Sequence, residues 1–223
     1  MPRPKTKRTL ENLRFAIEIE VEFPNKKDSQ KLISKHRIIR GWALDYDGSL
    51  DNGAEYRPKD RNKLYWNEDS IDQIKEIIGL IKAHRGHIKG STCGFHVHVD
   101  MTKFTNKEIA NIIKAYVRQQ VSIYKQFNVL KCRLDYAQKI PKTVLKHLTE
   151  SNIKRIRDED SSDGGETHEY FNERHWGCNC LALQKHGTLE FRMINGTIQI
   201  NRIKAYVKWC LEFCLKHAKG DKC

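Results

Sequence analysis

The sequence predicts an α+β domain, with a largely antiparallel sheet and helices packed on one face. Three observations carry this. Strand-like segments come in runs or pairs rather than alternating singly with helices. Three of them, around 15–23, 94–100 and 187–193, alternate apolar and polar residues as half-buried antiparallel strands do. Other segments repeat apolar residues at spacings of three and four, as amphipathic helices do. No glycine fingerprint of a Rossmann or P-loop unit is present.

The first strand reads FAIEIEVEF, with Phe15, Ile17, Ile19, Val21 and Phe23 on one face and Glu18, Glu20 and Glu22 on the other. At about 3.3 Å per residue, neighbouring carboxylates stand roughly 7 Å apart. Such a face suits either a solvated surface or a bound cation, and the strand alone leaves both open. A polar loop, PNKKDSQK, precedes a strand over 38–46, and DNG at 51–53 marks a turn into a short strand through Glu55. Ile71, Ile74, Ile77, Ile78 and Ile81 predict a helix over 68–84, with Gly86 placed to cap it. GFHVHVD, 94–100, is a strand. Thr105 or Asn106 opens a second helix with apolar positions from Ile109 to Phe127. The stretch 133–150 is expected to be helical in part, punctuated by Pro141. The acidic, Gly-rich 158–169 reads as a mobile loop and a candidate lid. Strands over 176–184 and 187–193, joined by a hairpin turn at KHG, precede a final helix over 199–216.

A length of 223 residues suits one large domain. We expect a basic flexible tail, 1–12, and a single catalytic domain, 13–223. Forty-one Lys and Arg against 28 Asp and Glu give a charge of +13, which favours anionic partners. No stretch approaches the roughly 20 apolar residues of a membrane span, and no apolar run follows the basic start as a secretory signal requires. Seven cysteines without a C-x-x-C pair read as reduced thiols in a cytoplasmic protein. Cys210, Cys214 and His217 share a helix face, and buried free thiols explain them better than zinc.

The opening design recurs. His96, His98 and Asp100 oppose Phe95, Val97 and Val99; Glu190 and Arg192 oppose Leu189, Phe191 and Met193. None of these polar positions is Lys or Ser, as a solvated strand face would be expected to carry. Neighbouring on one sheet face, the strands would gather Glu18, Glu20, His96, His98, Glu190 and Arg192. Clustered carboxylates raise one another's pKa unless a cation neutralises them. Carboxylate oxygens with imidazole suit Mg²⁺ or Mn²⁺, and Arg192 offers a fork for phosphate or carboxylate.

In this order, FAIEIE, DYDGSLDNGAEYRP, CGFHVHVD and TLEFRMINGT resemble the putative amidoligases, a branch of the glutamine synthetase-like carboxylate–amine ligases often encoded by phages and mobile elements. The resemblance spans Phe15 to Trp209. It implies a glutamine synthetase-like catalytic domain, with a curved sheet and the active site on the face opposite the helices. It implies metal ligation by Glu18, Glu20, Glu55, His96 and Glu190, and nucleotide contacts by His98, Arg192, Arg174 and Asn179. Arg192, Arg133 and Glu55 would serve the chemistry. ATP and two or more Mg²⁺ or Mn²⁺ ions are the implied cofactors. A carboxylate donor and an amine acceptor, a peptide or protein among the candidates, are the implied substrates. The sequence departs from the family pattern at Ala16, where Gly is usual, and at Arg57-Pro58, where Ser-Pro is usual. Two other readings stand beside it: a phosphotransferase on the same scaffold, and a basic nucleic-acid-binding protein without catalysis.

Overall fold

The segment of strictly alternating residues at 15–23 forms the middle of a sheet. In this computed structural model, which describes residues 7–25, 27, 38–39, 41–59, 64–90, 92–158, 171 and 173–220, β1 (Arg14–Glu22) is buried on both faces. It pairs antiparallel with β4 (Gly53–Pro58) on one edge and β6 (Gly94–Asp100) on the other. Outward from β4 lie β3 (Trp42–Tyr46) and β2 (Ile38–Ile39); outward from β6 lie β8 (Thr188–Asn195) and β7 (Cys178–Asn179). The two-residue β5 (Leu64–Tyr65) pairs with the start of β1. The sheet is therefore open, running from β2 to β7, and its strand ladders are antiparallel. An isolated parallel bridge joins Gln138 to Trp176.

The apolar face carries the long helices. Helix α1 (Glu68–Ala83) begins at Asn67, whose side chain accepts from the Ser70 amide, and buries Ile71, Ile74, Ile77, Ile78 and Ile81. Helix α2 (Asn106–Gln126) and the C-terminal α5 (Ile200–His217) bring Tyr116, Trp209 and Phe213 around Phe191 of β8. Two 3₁₀ turns (Lys131–Asp135 and Lys142–His147) and helix α3 (Glu150–Asp158) follow α2. Strand and helix side chains join one apolar core. Cys178, Cys180, Cys210 and Cys214 lie within it as buried free thiols.

Several expectations need correction. No hairpin turn joins β7 to β8. Residues 182–186 form a short helix, α4 (Ala182–His186), closed by Gly187 in the left-handed conformation at φ 65°. Ala, Leu, Gln and Lys favour helix, and glycine after the last turn ends it without a Cβ penalty. The strand expected over 38–46 is split by Gly41 at φ 83°. Gly86 is not the left-handed cap of α1; Arg85 takes that conformation at φ 58°. A Cβ on Gly86 would meet Ile81 Cγ2 at 2.8 Å and Phe23 Cε1 at 3.1 Å, so close packing requires the glycine. Residues 7–12, assigned to the tail, are tied to the domain. Arg8 pairs with Glu108 and stacks over Phe104 at 4.2 Å, and Asn12 bonds back to Thr9 and Lys7. Residues 1–6 lie outside the described residues, as does the candidate lid except Asp158.

One irregularity matters for the site. Between Phe95 and Val97 the β6–β8 register shifts: Phe95 faces Ile194, but Val97 faces Phe191. Strand β8 therefore holds an extra residue, a bulge opposite His96. Beyond it, Asn195 accepts from the Leu130 amide at 3.0 Å and donates to the Asn128 carbonyl at 3.0 Å.

Helix α2 depends on its start. Thr105 Oγ1 accepts from the Glu108 amide while Glu108 accepts from the Thr105 amide, a reciprocal capping box. Thr105→Ala should destabilise the domain by about 1 kcal/mol, seen as a lower urea midpoint at unchanged slope.

Candidate active site

On the face opposite the long helices, the register sets acid against base. Glu18 lies directly across from His96, and Glu20 lies across from Glu55, which in turn faces Asp45 on β3. A row of carboxylates thus crosses β3, β4 and β1, and imidazoles take over on β6. Like charges placed directly opposite are destabilising, so the row requires compensation.

The compensation is local and dense. The His96 Nδ1 atom is 2.9 Å from Glu18 Oε2 and 3.4 Å from Glu190 Oε1; its Nε2 is 3.4 Å from Glu20 Oε1. His98 reaches diagonally, with Nε2 3.1 Å from Glu18 Oε1, while its Nδ1 stands 2.9 Å from Thr188 Oγ1. Glu190 accepts from Asn179 Nδ2 at 2.7 Å and has Arg192 Nη1 at 3.5 Å. The Gly94 amide donates to Glu20 Oε2. A side chain at Gly94 would not fit: its Cβ would fall 2.5 Å from Arg133 Nη2 and 2.7 Å from His96 Nε2.

These residues floor a cavity of about 230 Å³ lined by Glu18, Glu20, Asp47, Glu55, His96, Arg133, Arg174, His175 and Arg192 among others. Arg133 descends from the first 3₁₀ turn, only 1% exposed. Its Nη1 donates to the Thr92 carbonyl at 2.8 Å, and its Nε and Nη2 have no hydrogen-bond partner. Those two atoms form one edge of the guanidinium fork, the edge that takes an oxyanion bidentately. Burial lowers the pKa of Arg133, and the nearby Glu20 opposes that shift. Arg192 is fixed by its Nε to the Tyr136 carbonyl at 3.1 Å and its Nη1 to the Arg174 carbonyl at 3.2 Å. Two larger grooves, of about 450 and 520 Å³, run along α1 and α5 but gather no comparable set of catalytic groups.

The sequence-expected residues therefore converge: Glu18, Glu20, Glu55, His96, Arg133, Arg174 and Arg192 line one cavity, and His98, Asn179 and Glu190 touch its floor. Their relative placing carries a difference. Among the described residues, the group whose ligand atoms all lie within 4.8 Å of one another is Glu18, His98 and Glu190. His98, which the resemblance assigns to nucleotide phosphate, supplies the imidazole of that group. Carboxylate oxygens and an imidazole nitrogen at that spacing fit Mg²⁺ or Mn²⁺ by donor chemistry. Asp47 escaped the sequence reading: it lines the cavity and accepts from Ser49 N and Oγ at 2.8 and 2.7 Å. It falls between the expected strand over 38–46 and the turn at 51–53, outside any alternating pattern. Glu22 shares the strand face yet stands apart, near Thr92 Oγ1 at 3.2 Å and Lys89 Nζ at 3.7 Å.

A family model described as "Putative amidoligase enzyme" matches residues 5–214. The chain belongs to this family. Membership indicates a ligase-type enzyme, and the motif resemblance read from FAIEIE, GFHVHVD and TLEFRM agrees with it. No curated protein and no solved structure matches this amidoligase-family chain. Among the described residues, no helix is long and apolar enough to cross a membrane.

Burial, then Asp47, pushes Glu20 up to about 7, and burial, then Glu20, pushes Glu55 up to about 8. Both carboxyls hold protons in the folded chain at pH values where the unfolded chain has lost them. Their contribution to stability is therefore fully present below the ordinary value of 4.5 and is lost as pH rises through about 7 and about 8. Metal-free protein should melt progressively lower between about pH 5 and 8. Glu20→Gln should flatten that slope, and thermal melts in EDTA across the range would read it.

Proposed function

We propose that this chain is an ATP-dependent carboxylate–amine ligase that forms an amide or isopeptide bond through an acyl phosphate. The observation that supports the reading best is one cavity lined both by carboxylates and imidazole and by the guanidiniums of Arg133, Arg174 and Arg192, with Nε and Nη2 of Arg133 buried and without a hydrogen-bond partner. Glu18, His98 and Glu190 would hold a divalent ion, with Glu20 and His96 beside them. When bound, such an ion would neutralise charge on the nucleotide phosphates.

The guanidiniums then have defined work. A carboxylate resists attack by an amine because oxide is a poor leaving group. Its oxygen attacks the γ-phosphorus of ATP, ADP departs, and an acyl phosphate remains. Arg133 grips the transferring oxyanion through its Nε–Nη2 edge, and Arg192, held in place by two carbonyls, presents a second cation. The amine nitrogen next attacks the acyl carbon, the bond to phosphate breaks, and a nearby carboxylate takes the proton. The cavity of about 230 Å³ lies below the roughly 300–1,000 Å³ of ordinary small-molecule pockets. It encloses the reacting ends alone, which leaves a long carboxylate or amine substrate, such as a peptide, room to extend outward.

Incubation with ATP, Mg²⁺ and pools of amino acids or peptides should yield ADP, phosphate and new amide masses. Hydroxylamine should trap the acyl phosphate as a hydroxamate. AMP and pyrophosphate would overturn the reading, and ADP with a stable phosphorylated product and no amine requirement would assign a phosphotransferase instead.

The three strand carboxylates separate in the same assay. Glu18→Gln should lower turnover by more than the roughly 10- to 100-fold that losing a ligand's supporting partner costs. Glu22→Gln, whose carboxylate faces Thr92 and Lys89, should stay within a few-fold of wild type. Arg133→Lys keeps charge but loses the planar edge, so it should slow turnover while leaving Mn²⁺ affinity nearly unchanged.

A further inference from the structure

The carboxylate row has two unlike ends. At the β6–β8 end, Glu18 and Glu190 meet imidazoles, Arg192 Nη1 stands 3.5 Å from Glu190 Oε1, and the ligand atoms of Glu18, His98 and Glu190 lie within 4.8 Å of one another. At the β3–β4 end one guanidinium bridges two carboxyl groups. Arg57, two residues along β4 from Glu55 and on the same face, has Nη2 2.7 Å from Asp45 Oδ2 and Nε 3.3 Å from Glu55 Oε1. Asp45 and Glu55 are directly opposite in the ladder, so one guanidinium spans a cross-strand pair of carboxyl groups.

We infer that Arg57 acts as a tethered cation for the Asp45–Glu55 pair, removes Glu55 from the metal-ligand set, and so limits the number of divalent ions the site takes. The inference rests on the divalent-ion part of the function proposed above. The reason is competition. A guanidinium on the same strand forms its pairs without losing translational freedom, whereas a hydrated ion must shed water and displace it. Arg57 and Glu55 are 23% and 19% exposed at their side chains, so solvent-borne ions can reach the pair and the competition is a real one. Glu18 and His98, by contrast, contact each other, His96 and Thr188.

The experiment counts bound Mn²⁺ by electron paramagnetic resonance of the free ion, in titrations of wild type, Glu55→Gln, Arg57→Ala and the double variant, with Glu18→Gln as reference. Each variant is first checked by its thermal melt. Arg57→Ala should take up one more Mn²⁺ ion than wild type, and the double variant should lose that ion. Glu55→Gln alone, close in shape to the native residue, should leave the count as in wild type. Loss of an ion in Glu55→Gln, or no gain in Arg57→Ala, would overturn the inference. If Glu18→Gln binds as much Mn²⁺ as wild type, the metal reading of the site itself fails. If Glu18→Gln loses Mn²⁺ and Glu55→Gln does too, only the role of Arg57 fails.

Discussion

Carboxylates on the central strand of a sheet must be desolvated, and this constraint organises much of the rest. Glu18, Glu20 and Glu22 are each no more than 7% exposed on a strand paired along both edges. Burying charge without a partner is far more unfavourable than burying an apolar side chain is favourable. Each carboxylate therefore draws positive or donating groups from elsewhere in the chain. Glu18 takes the histidines of β6, Glu20 takes the Gly94 amide and the field of Arg133, and Glu22 takes Lys89 and Thr92. The segments that supply these groups also close the cavity. The same pairing that makes the strand tolerable builds the site.

The apolar face shows what this leaves free. The rings of Tyr116, Trp209 and Phe213 around Phe191, and the isoleucines of α1, fill the other side of the sheet without ionic help. Stability and chemistry are thus assigned to opposite faces of the same strands. A substitution at Glu18, Glu20 or Glu22 acts on charge; one at an odd-numbered position of β1 acts on packing.

How much of this the sequence disclosed follows from the length of each pattern. The strands at Arg14–Glu22 and Gly94–Asp100 and the helices at Glu68–Ala83 and Asn106–Gln126 have enough periods for alternation or three-four spacing to declare them. Helix α4, at five residues, shows barely more than one turn and was read as strand; β5, at two, has no period at all. Helix α3 buries only Ile153 and Ile156 among charged neighbours, so its apolar stripe was too thin to see. Site residues on strands were legible because ligand-type groups stood in alternation. Asp47 was not, since it lies between a strand and a turn and outside any alternation, and the clamp of Arg57 on Asp45 and Glu55 depends on a pairing of β3 with β4 that no local pattern states. The place of His98 beside Glu18 likewise follows from register, which sequence separation of 80 residues conceals.

The extra residue in β8 has a consequence for counting. Side chains on an ideal strand swap faces with each step, so Glu190, Arg192 and residue 194 should all look the same way. They do not: Ile194 pairs with Phe95 in the core, and Asn195 emerges beside Gly94 on the wet face. The bulge inverts parity halfway along one strand. Its first half can then offer a carboxylate and a guanidinium to the cavity. Its second half presents an amide that ties down 128–130, the stretch leading into the turn that carries Arg133. In this sense a single inserted residue works as a phase shifter, and the spacing between two distant arginines is written into one strand as an odd number instead of an even one.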